Sequence, residues 1–260
     1  MSHLITKVRS KQPLIHNITN QVVMNFTANG LYALGASPVM ANAKEEVEEM
    51  ATIADALVLN IGTLTTDQVE AMILAGKSAN QAGIPVVLDP VGVGATKFRT
   101  ASALKILDQV QVSCIRGNAG EIANLAGVET KVRGVDGAED IDVQQLAEVA
   151  FSKLQSPLAI TGAQDIIIDA NQITFIANGH PLLTKVTGTG CLLSSVVASF
   201  IAVSNDVQTA ISDAISYYGI AAELAAAEHQ NPGSFQVAFL DQLFLIDEKT
   251  INEKKRITRS

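Results

Sequence analysis

Ala56-Leu57-Val58-Leu59-Asn60-Ile61-Gly62 is an apolar run closed by a glycine, and Ile84-Pro85-Val86-Val87-Leu88-Asp89-Pro90 repeats the pattern further along. Between them, the segment around Gly76-Lys77-Ser78 follows a helical pattern. Two continuous apolar runs joined through a helix read as buried parallel strands with a crossover connection. Working outward, Val112-Ser113-Cys114-Ile115 and Leu158-Ala159-Ile160-Thr161 continue the series. Asp165–Asp169 and Gln172–Ile176, turning at Ala170-Asn171, read as a hairpin, which makes the sheet mixed. Strand-like and helix-like runs alternate from about residue 37 to residue 180, the signature of an α/β protein with a mostly parallel sheet covered by helices. Beyond Cys191 the pattern is helical, with a last amphipathic helix expected from Ser234 to about Glu248. The basic tail Glu253–Ser260 reads as a frayed, solvated end, and Lys131 to Asp142 as a surface loop. No break in composition flanks that loop, so residues 1–260 read as a single domain.

With 260 residues and 48% hydrophobic content, the chain can bury a sizeable core, and disorder is set aside. A net charge of −8 argues against a nucleic-acid backbone or an anionic membrane as the main partner. The amino terminus lacks the apolar core of a signal peptide and no run approaches a membrane span, so a cytoplasmic protein is expected. Cys114 and Cys191 lack metal-site or disulfide spacing and read as free thiols.

Val186-Thr187-Gly188-Thr189-Gly190-Cys191 turns directly into the apolar run 192–200. Glycines that allow a tight turn, followed at once by a helix, gather unpaired N–H groups and the positive end of the helix dipole around one point. Such a point binds anions, phosphate above all, with Cys191 in the first helical turn beside it. The alternative is a plain glycine entry turn with a cysteine packed as a small hydrophobe; the segment alone leaves both open.

In an open α/β sheet, ligands sit beyond the carboxyl ends of the strands. Three such ends carry reactive groups. Asp89 closes an apolar run before Pro90-Val91-Gly92-Val93-Gly94 and is suited to Mg²⁺, against the alternative of a turn-forming Asp-Pro. Arg116-Gly117-Asn118-Ala119-Gly120-Glu121 offers a planar fork for phosphate and an acid for the metal, while Asn118 and Glu121 also match a capping box, which needs no ligand. Thr161-Gly162 offers a hydroxyl and an open backbone to a nucleotide, a weak signal at a hairpin entrance. Gly76-Lys77-Ser78 is not a phosphate loop, because Ala71 replaces the required first glycine; Gly92-Val93-Gly94 has Lys97 where a dinucleotide fingerprint needs its third glycine. His3, His16, His180 and His229 do not pair at metal-ligand spacing, and no nucleophile elbow is present.

The segments His16–Gly30, Leu34-Gly35-Ala36-Ser37-Pro38-Val39-Met40, Asn60-Ile61-Gly62-Thr63-Leu64, Asp89–Gly94, Arg116-Gly117-Asn118 and Thr187-Gly188-Thr189-Gly190-Cys191 together resemble the hydroxyethylthiazole kinase family, in order from about residue 12 to residue 245. The resemblance implies a ribokinase-like three-layer α/β/α fold. It implies transfer of the γ-phosphate of ATP to the primary alcohol of 4-methyl-5-(2-hydroxyethyl)thiazole, a thiamine salvage step, with Mg²⁺ as cofactor. Carried over by position, Arg116 and Thr161 match nucleotide contacts, Met40 and Gly188 match thiazole contacts, and Asp89 and Glu121 match the acids near Mg²⁺; Asn20 matches a substrate or phosphate contact. Cys191 stands where many related kinases have an aspartate, so it is the expected catalytic group, and the helix start is expected to lower its pKa. Thr189 replaces the more usual alanine and is expected to crowd the turn slightly. The resemblance further implies a homotrimer with each active site between subunits. A same-fold kinase of hydroxymethylpyrimidine or another small alcohol, and a non-catalytic nucleotide- or thiazole-binding regulator, are the alternatives.

Overall fold

The computed structural model describes residues 4–128 and 142–260. From the amino end, α1 (Leu4–Lys11), β1 (Leu14–Ile18), α2 (Met24–Leu34), β2 (Ser37–Val39), α3 (Val47–Ile53) and β3 (Ala56–Asn60) lead into α4 (Thr66–Ala82) and β4 (Val86–Asp89). Then come α5 (Lys97–Gln109), β5 (Cys114–Asn118), α6 (Ala119–Leu125), α7 (Val143–Leu154), β6 (Leu158–Thr161), β7 (Asp165–Ile168) and β8 (Ile173–Ile176). A short 3-10 turn, Pro181–Lys185, precedes α8 (Thr189–Ile201), α9 (Val207–Glu228), α10 (Pro232–Leu245), α11 (Glu248–Lys254) and β9 (Ile257–Arg259).

The strands form one sheet in the order β2-β1-β3-β4-β5-β6-β7-β8-β9. Pairing is parallel from β2 through β6 and antiparallel from β6 through β9. Because strand side chains alternate between faces, the sheet has two apolar sides. Val58, Val87, Cys114 and Ala159 pack with α1, α2 and α8–α10, while Leu57, Leu59, Leu88, Ile115 and Ile160 pack with α3–α7. Helices on both faces of a mostly parallel sheet are the expected three layers. Gly76 lies within α4, consistent with rejecting a phosphate loop there.

Two expectations are corrected. The tail is not frayed: β9 pairs with β8, placing Ile257 opposite Ile176. Its approach is held by Arg256, whose backbone N–H donates to Asn178 Oδ1 at 2.8 Å and whose guanidinium donates to Glu223 at 2.6 Å. The last long helix starts at Pro232 and ends at Leu245, and Asp247 caps a separate α11 by accepting from the Thr250 N–H at 2.8 Å. Most of the expected loop from Lys131 lies outside the described residues; Asp142 caps α7.

Candidate functional site

All the parallel strands end on the same side, so the residues just past β1, β3, β4, β5 and β6 converge there. Asn60 and Asp89 are register partners at the ends of β3 and β4. Asp89 is fully buried, and its Oδ2 accepts from Asn60 Nδ2 at 2.8 Å and Ser194 Oγ at 2.7 Å. Its Oδ1 has no hydrogen-bond partner. Burial pushes the Asp89 carboxyl up to about 6, against the pull of the Arg116 cation. Arg116 lies on β5, its Nη1 3.7 Å from Asp89 Oδ2, and Nη2 donates to Thr161 Oγ1 at 2.7 Å. The Arg116 side chain is only 12% exposed, so it is a largely buried cation at the strand ends.

The helix start of α8 closes over these groups. Gly188 has φ +92°, the left-handed region, and a β-carbon there would strike Val23 Cγ1 at 2.6 Å. The Thr189 hydroxyl lies within reach of Leu183 O at 2.8 Å and Val186 O at 3.2 Å, while its own carbonyl accepts from Tyr218. Cys191 Sγ accepts from Asn20 Nδ2 at 3.2 Å, and the same nitrogen donates to Asn60 Oδ1 at 3.0 Å. The expected fall in the Cys191 pKa is corrected: burial, reinforced by the Asp89 carboxylate, pushes the thiol up to about 11. Desolvation of the thiolate outweighs the opposing hydrogen bonds of Asn60 and Asn20 and the Arg116 cation.

Glu121 takes part in the expected capping box with Asn118. Its Oε2 accepts from the Asn118 N–H at 2.9 Å and Oε1 from the Gly92 N–H at 2.8 Å, bracing the loops after β4 and β5. Among the described residues no three acids, histidines or cysteines cluster as a metal cage. The orphaned Asp89 Oδ1 fits a Mg²⁺ ion whose remaining ligands are phosphate oxygens and water, the usual arrangement for that ion.

Asn20, Asp89, Arg116, Thr161 and Cys191 thus come together, with Gly188 at the adjoining turn and Glu121 behind them. Met40 stands at the Asn20 end of this row rather than the Arg116 end, because β2 pairs with β1. It follows β2 at the sheet edge, four strand spacings from β5, or roughly 19 Å. Sequence reasoning missed Asn60 and Ser194. Ser194 had a readable signal, since it stands three residues after Cys191 and therefore on the same helix face.

The match to known proteins settles which family this arrangement comes from. The model of the hydroxyethylthiazole kinase family matches residues 5–249. The chain belongs to the hydroxyethylthiazole kinase family. A solved structure of hydroxyethylthiazole kinase protein from Pyrococcus horikoshii OT3 is 44% identical, with a TM-score of 0.91 over 99% of this chain and 98% of that one. A ribokinase-like superfamily protein from Enterococcus faecalis V583 (13% identity, TM-score 0.64, 90% of this chain and 88% of that one) shares the fold. So does the pyridoxal kinase of Staphylococcus aureus in complex with pyridoxal (16%, 0.60, 95% and 99%). The fold is therefore ribokinase-like. As a hydroxyethylthiazole kinase, the chain phosphorylates the alcohol of the hydroxyethyl group, the family's step in thiamine salvage. No helix among the described residues is long and apolar enough to cross a membrane.

Proposed function

We propose that ATP is the phosphate donor, that its γ-phosphate lies at the start of α8, and that the alcohol of 4-methyl-5-(2-hydroxyethyl)thiazole approaches from the side of Cys191. The observation that carries this reading is the convergence of a largely buried Arg116 cation, an orphaned carboxylate oxygen of Asp89 and a glycine-initiated helix at one end of the sheet. Phosphoryl transfer through a loose transition state spreads charge over the transferred oxygens, so the protein acts mainly by positioning and by electrostatic stabilisation. Arg116 and Thr161 grip nucleotide phosphates, and the first N–H groups of α8 receive the growing charge. Asp89, with Glu121 acting through water, would hold Mg²⁺, which neutralises phosphate charge when bound. Cys191 contacts the alcohol. With its pKa near 11 it remains a thiol at neutral pH, and so it orients the attacking hydroxyl, whose proton passes to an oxygen of the transferred phosphoryl group as the new O–P bond forms.

Met40 and Gly188 would contact the thiazole, and Asn20 the hydroxyethyl arm. The family resemblance implies a homotrimer, in which the Met40 that completes a site would belong to a neighbouring subunit; the four strand spacings, roughly 19 Å, between Met40 and Arg116 along the sheet are compatible with that. We read residues 1–260 as one catalytic domain working in the cytoplasm, where ATP is supplied.

The test is ATP consumption by the purified protein with Mg²⁺ and, separately, hydroxyethylthiazole, hydroxymethylpyrimidine, pyridoxal and ribose. Turnover should be greatest with hydroxyethylthiazole. Preference for the pyrimidine would support a different small-alcohol kinase of this fold, and binding without turnover of any alcohol would support a regulator.

A further inference from the structure

We propose that Asn60 is a positioning residue of the transfer site, holding Asp89 on one side and Asn20 with Cys191 on the other. Its carboxamide is 1% exposed and stands at the end of β3 directly opposite Asp89. The Gly62 N–H can only donate, and it reaches Asn60 Oδ1 at 3.0 Å. That contact fixes which end of the amide is oxygen. Oδ1 also accepts from Asn20 Nδ2 at 3.0 Å, so Asn60 Nδ2 must face Asp89 Oδ2, 2.8 Å away.

Two consequences bear on the reaction. First, the N–H of Asn60 and the O–H of Ser194 both fall on Asp89 Oδ2, which leaves Oδ1 as the oxygen without a protein partner. Second, the Asn20 nitrogen anchored by Asn60 is the one that reaches Cys191 Sγ at 3.2 Å. One carboxamide therefore connects the carboxylate on the phosphate side with the thiol on the alcohol side. Packing alone does not call for it: Leu57, Val58 and Leu59 fill the rest of β3 with apolar groups, and a buried amide is unfavourable unless fully hydrogen-bonded.

The inference rests on the kinase reading of this site, and the experiment separates the two. Asn60→Asp keeps the shape but removes both N–H donors, and Asn60→Ser keeps a small acceptor for Gly62. In either variant, kcat for hydroxyethylthiazole and ATP should fall about 10²-fold, the scale of a misplaced reacting group. Nucleotide affinity, measured by binding without the alcohol, should stay within about threefold of wild type. Combining Asn60→Ser with Asn20→Ala should lose clearly less than the product of the two single losses, since both break the arm to Cys191 while only the first also frees Asp89.

A second readout needs no turnover. Cys191 is partly exposed, whereas Cys114 is fully buried. Iodoacetamide should label Cys191 at a rate shifted by at least about threefold in the Asn60 variants, with Cys114 still protected. Unchanged kcat, losses that multiply with Asn20→Ala, or Cys114 opening in step with Cys191 would overturn the proposal. So would failure of both variants to fold, which would make Asn60 a residue of the fold only. If the wild type turns over no alcohol, the kinase reading of the site fails, while the labelling comparison still decides the role of Asn60.

Discussion

Gly190 lies against the guanidinium of Arg116: a β-carbon on Gly190 would stand 2.9 Å from Nη1 and 3.3 Å from Nη2. The helix start therefore lies against the far end of the Arg116 side chain, which has to shift to admit a β-carbon. Gly190→Ala must push the guanidinium aside, and Arg116 is held by its 2.7 Å bond to Thr161. Alanine gains up to about 1 kcal/mol of helix propensity over glycine, which offsets part of that strain. The expected result is a melting temperature within a few degrees of wild type and a kcat/KM for ATP reduced at least about tenfold. Thermal melts and steady-state kinetics on one preparation check both.

Arg116→Ala separates charge from packing through its pH dependence. An exposed strand-end arginine would leave stability nearly untouched, but this one is largely buried beside Asp89. Its loss leaves a buried carboxylate without a cation, so the Asp89 carboxyl, already raised to about 6, rises further. A group whose folded pKa is raised contributes stability below its unfolded value near 3.8 and loses it as pH rises through the folded value. The destabilisation should therefore be smallest near pH 4 and grow through pH 6 and above. It should reach about 1–3 kcal/mol at pH 7.5, less than a typical broken buried pair, because Asp89 can take up a proton. Turnover should fall at least about 10²-fold, and Arg116→Lys should recover part of it. Melts at several pH values that show an equal loss throughout would contradict this coupling.

How far the sequence carries is clearest from particular residues. Asp89, Arg116 and Thr161 were legible because each closes a strand-like run, and Gly188 to Cys191 because glycines mark a helix start. Asn60 was hidden at the end of an apolar run, and Ser194 was marked only by its helical spacing from Cys191; each acquires its role from the partner that tertiary structure brings to it, here Asp89 for both. β9 was unreadable for the same reason, since its position depends on Arg256 meeting Glu223. The direction of the Cys191 shift was misjudged because a helix start is a local feature while desolvation is set by the whole fold.

Cys191 should behave as a reluctant nucleophile. With the thiol pushed up to about 11, the thiolate fraction grows about tenfold per pH unit across the neutral and mildly alkaline range. Iodoacetamide labelling of the native protein should climb steadily to about pH 10 without levelling, and a plateau reached by about pH 9.5 would mark an ordinary thiol, whose pKa is about 8.5. Since a thiol at neutral pH contributes little as a base, Cys191→Ala should lower kcat by no more than about 10²-fold, the low end for removal of a general base. A greater loss in a folded variant would assign Cys191 a larger share of the chemistry.

Met40 and Arg116 provide a test of assembly, because the sheet order keeps them on β2 and β5 with three strands between. In the proposed trimer, the thiazole held by Met40 of one chain meets the phosphate held by Arg116 of another. Exposed apolar side chains such as Tyr32, Val237, Phe244 and Leu245 leave surface for association. Met40→Glu should spoil the thiazole half of each site, and Arg116→Ala the nucleotide half. In a trimer with shared sites, mixing the two inactive variants under conditions of subunit exchange builds some sites from the intact Met40 of one chain and the intact Arg116 of another. Activity should return on mixing, while light scattering gives the trimer mass for each parent and for the mixture. A monomeric mass, or verified mixed oligomers that stay inactive, would rule out a site shared between subunits.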